Sequence, residues 1–170
     1  FIPLARCFNE VRVFPMSLAL VAIDAGKSGA IAIKHPEATV ITPMPGTDME
    51  ICEFIASLHL KHRDIEVWLE EPSKGGWSVQ SKASVATYYF GVGLLYGACV
   101  AQGFTIHRVD PKRWQKAIGY HAAGKEKMTY AQRKSWLYAR ARELMPTMDI
   151  TKDNADAALI LYAAERGLLN

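Results

Sequence analysis

Cysteine is scarce in this chain of 170 residues: Cys7, Cys52 and Cys99 are odd in number, widely spaced and form no CxxC pair. That excludes a disulfide framework and a zinc ribbon, and suits a reducing compartment. The most apolar stretch, 85–101, is broken by Tyr88, Tyr89, Gly91, Gly93 and Gly97, with no Lys/Arg-flanked membrane span of about 20 residues. It is expected to be a buried helix. The five histidines form no HExxH, and His59 and His62 are expected to end a surface helix. Gly26-Lys27-Ser28 resembles a phosphate loop, but Val21 stands where that loop needs glycine. Residues 1–15, FIPLARCFNEVRVFP, lack the apolar core and small-residue cleavage site of a signal peptide. They are expected to lie outside the fold as upstream-translated or appended sequence, leaving 16–170 as a single domain. No repeat, low-complexity tract or interdomain linker interrupts it.

What is present is apolar and unevenly charged. Half the residues are hydrophobic, enough for a sizeable core. Residues 108–143 hold ten Lys/Arg against Asp110, Glu126 and Glu143, a net +7, so with +3 overall the remainder carries −4. Such asymmetry points to a basic face for a polyanion and a separate acidic patch. Three β-rich runs, 18–24, 29–35 and 38–44, separated by short turn signals, predict a meander. A helix over 49–60, a strand over 65–71, a helix over 83–102, a strand over 104–109, a short basic helix from Pro111, and helices over 129–144 and 153–166 follow. The class is therefore α/β, a five-stranded mixed sheet flanked by helices.

On that scaffold the acids are conspicuous. Asp24 ends the first strand just before AGKSG, Glu70 and Glu71 end the fourth, and Asp153 and Asp156 open the last helix at a spacing that shares one face. Adjacent strand residues point to opposite sides, so only one of Glu70 and Glu71 can share a cleft with Asp24. A like-charged pair at about 4–5 Å costs about 3–4 kcal/mol at an effective dielectric of about 20. Converging carboxylates therefore need raised pKa values or a hard cation such as Mg²⁺ or Mn²⁺.

The motifs AIDAGKSGAIAI, VWLEEPS and TKDNADAALILYAAE, in that order, resemble those of the RuvC-like Holliday junction resolvases of the ribonuclease H-like superfamily, over about residues 18–167. The resemblance implies a ribonuclease H-like fold and a crossover junction endodeoxyribonuclease, a metal-dependent hydrolase of recombination and repair. Flap or fork cleavage, or non-catalytic branched-DNA binding, are the alternatives. It makes Asp24, Glu70, Asp153 and Asp156 catalytic metal ligands, holding two Mg²⁺ ions about 4 Å apart, with Mn²⁺ as a substitute. One ion would lower the pKa of the attacking water and the other stabilise the leaving 3′-oxygen, giving nicks with 5′-phosphates. Glu71 becomes the outward neighbour. Lys112, Arg113, Lys116, Lys125, Lys127 and Lys134 are the implied DNA contacts. Bacterial members carry an aromatic wedge three residues beyond the catalytic glutamate; Ser73 stands there, and Trp77 could take over the stacking role. Paired symmetric cuts imply a homodimer, with the small residues of the 83–102 helix, Gly91, Gly93, Gly97 and Ala101, at its interface. No membrane partner is expected. The implied home is the cytoplasm of a bacterial or phage-infected cell, or an organelle of bacterial descent.

Overall fold

The computed structural model describes residues 18–60, 62, 64–72, 81–120 and 128–169. The order of elements there is β1 (Ala19–Ile23), β2 (Ala30–Lys34), β3 (Thr39–Pro43), α1 (Asp48–His59), β4 (Ile65–Glu70), α2 (Lys82–Ala101), β5 (Thr105–Val109), α3 (Pro111–Ala117), α4 (Tyr130–Leu144) and α5 (Ala155–Glu165). The strands form one mixed sheet in the order β3-β2-β1-β4-β5. β1, β2 and β3 pair antiparallel, as the short turns between them require, while β4 joins β1 and β5 joins β4 in parallel. Each parallel step needs a crossover, which the segments carrying α1 and α2 provide.

Side-chain alternation divides the core between the two faces of the sheet. Val21, Ile23, Val67 and Leu69 pack with Ile55 of α1 and with Leu95 and Cys99 of α2. Ala22, Trp68 and Val109 point the other way, onto Trp114 of α3, Leu137 of α4 and the buried side of α5. Helix starts follow local chemistry. Thr47 and Glu50 form a capping box on α1, Thr129 and Gln132 one on α4, and Asp110 caps α3 ahead of Pro111. Gly103, at φ +73°, ends α2 in the left-handed conformation that glycine adopts without strain.

The turn after β1 answers to its glycines. Asp24 N–H bonds to the Ala30 carbonyl, and Gly29 N–H to that of Gly26. A Cβ on Gly29 would lie 2.2 Å from the Asp24 carbonyl oxygen, so only glycine closes the turn there.

Three expectations are corrected. The 83–102 segment is a helix but not a buried one: Val92, Leu95 and Cys99 are its buried residues, while Phe90 is 61% exposed and Tyr89, Tyr96 and Val100 are exposed too. Its position explains this, since α2 lies against α1 and β5 at the side of the sheet and turns one face outward. At 20 residues it is also long and apolar enough to cross a membrane by length and composition, although its buried residues lie on one side, the pattern of a helix resting on a sheet. His62 follows α1 and is buried, its ring 4.7 Å from that of His35. The last helix begins at Ala155 instead of Asp153, after a turn in which Thr151 and Asn154 bond to each other's backbone N–H groups in the reciprocal pattern of the capping boxes on α1 and α4.

Candidate active site

β1 and β4 run parallel with Ile23 opposite Leu69, so the next residues, Asp24 and Glu70, stand side by side at the carboxyl ends of the two strands. Asp24 follows Ala22, and Glu70 follows Trp68, onto the face covered by α3, α4 and α5. There the first turn of α5 supplies Asp156, α4 supplies Lys134 and α3 supplies Trp114. All three acids are buried.

Each carboxylate is held on one side. Gly26 N–H donates to Asp24 Oδ1 at 3.2 Å, the Trp114 indole N–H donates to Glu70 Oε1 at 2.8 Å, and Lys134 Nζ lies 2.6 Å from Asp156 Oδ2. Asp156 Oδ1 is buried without a hydrogen-bond partner among the described residues.

The cluster resists carrying its full charge. Burial, then the neighbouring Asp24, push the Glu70 carboxyl up to about 8, with the Trp114 hydrogen bond pulling the other way. Burial and Asp156 raise Asp24 against the opposing pull of Gly26 N–H, Lys134 and a hydrogen bond from Glu70. Burial works against the Lys134 ammonium, but Asp156 and Asp24 more than offset it and hold that lysine above its ordinary range. One cation among three buried acids leaves uncompensated negative charge.

That imbalance and the orphaned Asp156 oxygen suit a hard divalent cation, for which oxygen donors are the preferred set. Among the described residues no three acid, histidine or cysteine groups stand close enough to enclose an ion as they are, so loading would draw the carboxylates inward.

Known structures share this arrangement of elements. Thermus thermophilus RuvC in complex with a Holliday junction substrate superposes with a TM-score of 0.58 at 12% identity, covering 89% of this chain and 98% of that one. A second Thermus thermophilus RuvC structure gives 0.54 at 13% identity, covering 88% and 96%. The fold is that of RuvC, ribonuclease H-like. No protein-family profile matches the sequence, and no curated protein does.

The structure thus brings together Asp24, Glu70, Asp156 and Lys134, but not Asp153. That residue lies exposed in the turn before α5, outside the shared helical face expected for it. Glu71 points away from the cluster and pairs with Arg108 of β5, whose guanidinium lies 5.6 Å from the centre of the Tyr96 ring. Lys112, Arg113 and Lys116 are exposed on α3. Trp77, Lys125 and Lys127 lie outside the described residues.

Two neighbours of the cluster escaped the sequence reading. Trp114 sits within the basic run DPKRWQK, where the lysines drew attention, and a tryptophan inside a charged helix was the available signal. Tyr88 of α2 is the other: burial, then the charges of Glu70 and Asp24, raise its phenol. Its only trace in the sequence is the polar interruption of an apolar helix.

Proposed function

We propose that this chain is a divalent-metal-dependent endonuclease that resolves four-way DNA junctions by paired nicks and works as a homodimer. The observation that carries the reading is the burial of Asp24, Glu70 and Asp156 together, beside Lys134, at the carboxyl ends of β1 and β4. It is supported by the fold, which a Thermus thermophilus protein uses on a Holliday junction substrate.

Mg²⁺ or Mn²⁺ held by Asp24, Glu70 and Asp156, with Asp153 as a fourth acid, would supply an activated water and charge stabilisation for phosphodiester hydrolysis. The protein's own contributions are placement and charge. β1 and the Gly29 turn fix Asp24, and Lys134 neutralises Asp156 while presenting positive charge where a phosphate would develop negative charge. Lys112, Arg113 and Lys116 on α3 offer phosphate contacts that position the substrate.

Two opposed strands must be cut, so two sites must act in one particle. The outward face of α2 supports the dimer: Phe90, Tyr96 and Val100 are exposed there, and a Cβ at Gly93 or Gly97 would meet nothing within 4 Å. That open, apolar, small-residue stripe lets a second copy of the helix approach closely.

Incubating the protein with end-labelled four-way junction, fork, flap and duplex DNA in Mg²⁺ tests the reading. Symmetric nicks with 5′-phosphate ends, selective for the junction and lost in EDTA, are expected. Preference for flaps or forks by a monomer would move the assignment to a replication-intermediate nuclease, and binding without cleavage to a branched-DNA-binding module.

A further inference from the structure

Among the described residues two tryptophans are buried on the same side of the sheet, and they are used differently. Trp68 stacks on His107, with ring centres 4.3 Å apart, and its indole nitrogen is buried without a partner among the described residues. Trp114 is 0% exposed and aims its N–H at Glu70 Oε1, 2.8 Å away and 44 positions distant in sequence.

We propose that Trp114 is a positioning residue for the acidic cluster: its indole N–H holds one oxygen of Glu70 and leaves the other as the single oxygen that Glu70 presents to a divalent cation. The inference rests on the metal-dependent reading above and names a residue on which that site's affinity depends.

The geometry supports it from both ends. Indole is a donor only, so Trp114 can hold an acceptor but cannot itself compete as a ligand. A glutamate has several free torsions, and a hydrogen bond that fixes one oxygen orients the group and favours binding through the other. The donor is itself held still. Asp110 Oδ1 accepts from Lys112 N–H at 2.7 Å at the start of α3, and Arg140 Nε donates to the Ile118 carbonyl at 3.1 Å at its end. α3 therefore ties α4, which bears Lys134, to the glutamate of β4. A group that orients a metal-binding carboxylate typically changes metal affinity about 10- to 100-fold when removed.

The test uses the full chain with two replacements at position 114: Trp114→Phe, and site-specific incorporation of 3-benzothienylalanine, which keeps the bicyclic shape but has sulfur in place of N–H. Mn²⁺ binding is measured by electron paramagnetic resonance without DNA, and the Trp114 indole N–H is followed by NMR during Mg²⁺ addition. Expected are a shift of that resonance with Mg²⁺ in the unmodified protein and Mn²⁺ binding about 10- to 100-fold weaker in the benzothienyl protein. Metal-free junction binding and the near-ultraviolet circular dichroism of the folded state should be retained. If Trp114→Phe fails to fold, the benzothienyl protein, which leaves no void, decides alone. Unchanged Mn²⁺ affinity in a folded benzothienyl protein overturns the positioning role and leaves the nuclease reading standing. No Mn²⁺ binding by the unmodified protein overturns both.

Discussion

Helices α2 and α5 are made of similar material and meet opposite fates. α5, ADAALILYAAE, buries nine of its eleven residues, and α2, KASVATYYFGVGLLYGACVA, buries three of its twenty. Both are rich in alanine and long apolar side chains, so hydropathy does not tell them apart. What separates them is where the sheet puts them: α5 crosses β1 and β2 at the centre and is covered by α4, whereas α2 rests at the side against α1 and β5. The covered helix is rigid enough to carry a functional acid on its first turn, with Ala155, Ala157 and Ala158 fixing Asp156 from its own helix. The uncovered helix keeps an apolar face outward, the face proposed above for a second copy of the chain.

The largest effect that sharpens this contrast is catalytic. Asp156→Asn on α5 removes a proposed metal ligand and the partner of Lys134, and should lower junction cleavage by about a hundred- to a thousandfold or more, on the scale of losing a preorganised electrostatic group. Junction binding in Ca²⁺ or EDTA should stay within a few-fold, since no phosphate contact is lost. Asp24→Asn should do the same. Asp153→Asn separates the exposed acid from the buried ones: a loss as deep as that of Asp156→Asn would show that the turn closes over the site when it is loaded, and near-normal cleavage would leave a three-acid site. Single-turnover cleavage of labelled junction reads all three.

Next in size is packing. Ala158 on α5 is fully buried, and Ala158→Leu should overpack the core and lower stability by about 1–3 kcal/mol. Gly97→Leu on α2 puts the same side chain into open space, so thermal unfolding of the monomer should be unchanged or slightly improved by the gain in helix propensity. Its cost should appear in sedimentation, as a shift from dimer to monomer, and in a cruciform plasmid assay, as nicked circles in place of linear product. If Gly97→Leu leaves sedimentation unaltered, α2 is not the dimer face. If it lowers the melting temperature as far as Ala158→Leu does, the side of α2 bearing Gly97 is core and the contrast between the helices fails.

These pairs also show how much the sequence disclosed. The meander, the five-stranded mixed sheet and the acids at the ends of β1 and β4 were legible, because period-2 alternation and turn residues act locally; the strand order, in which β4 joins β1 and so brings residues 24 and 70 together, came from the structure. So was the opposite facing of Glu70 and Glu71, which alternation dictates. Burial of α2 was misread because apolar composition records what a helix could cover, not whether a neighbour covers it. Asp153 lies exposed in the turn that Thr151 and Asn154 close ahead of α5 by bonding to each other's backbone N–H groups, and i,i+3 spacing alone does not show that. A tryptophan inside a basic helix signals a buried side but not its partner: the Trp114 bond to Glu70 spans α2, β5 and the start of α3, and no local pattern encodes a contact of that range.

The smallest expected effect concerns stability and pH, and it contrasts the occupied and empty states of the same cluster. Glu70 has an ordinary value of 4.5 and is raised to about 8 by burial and by Asp24. Between those limits the native chain holds a proton that the unfolded chain has released, so stability falls as pH rises through this window. The contribution is whole below about pH 4.5 and gone above about pH 8. Glu70→Gln cannot lose that proton. In EDTA the variant should therefore melt close to the unmodified protein near pH 5 and above it near pH 8, while being unable to cleave. Adding Mg²⁺ at pH 8 should invert the order, because a ligand that binds only the native state stabilises it in proportion to the logarithm of its saturation, and only the ionised glutamate can take part. Melting curves by differential scanning calorimetry at pH 5 and 8, with and without Mg²⁺, supply the four comparisons. A variant less stable than the unmodified protein at pH 8 in EDTA would mean that the Glu70 carboxylate is already compensated in the empty site, and that Trp114 and Lys134 suffice to hold the charge without a metal.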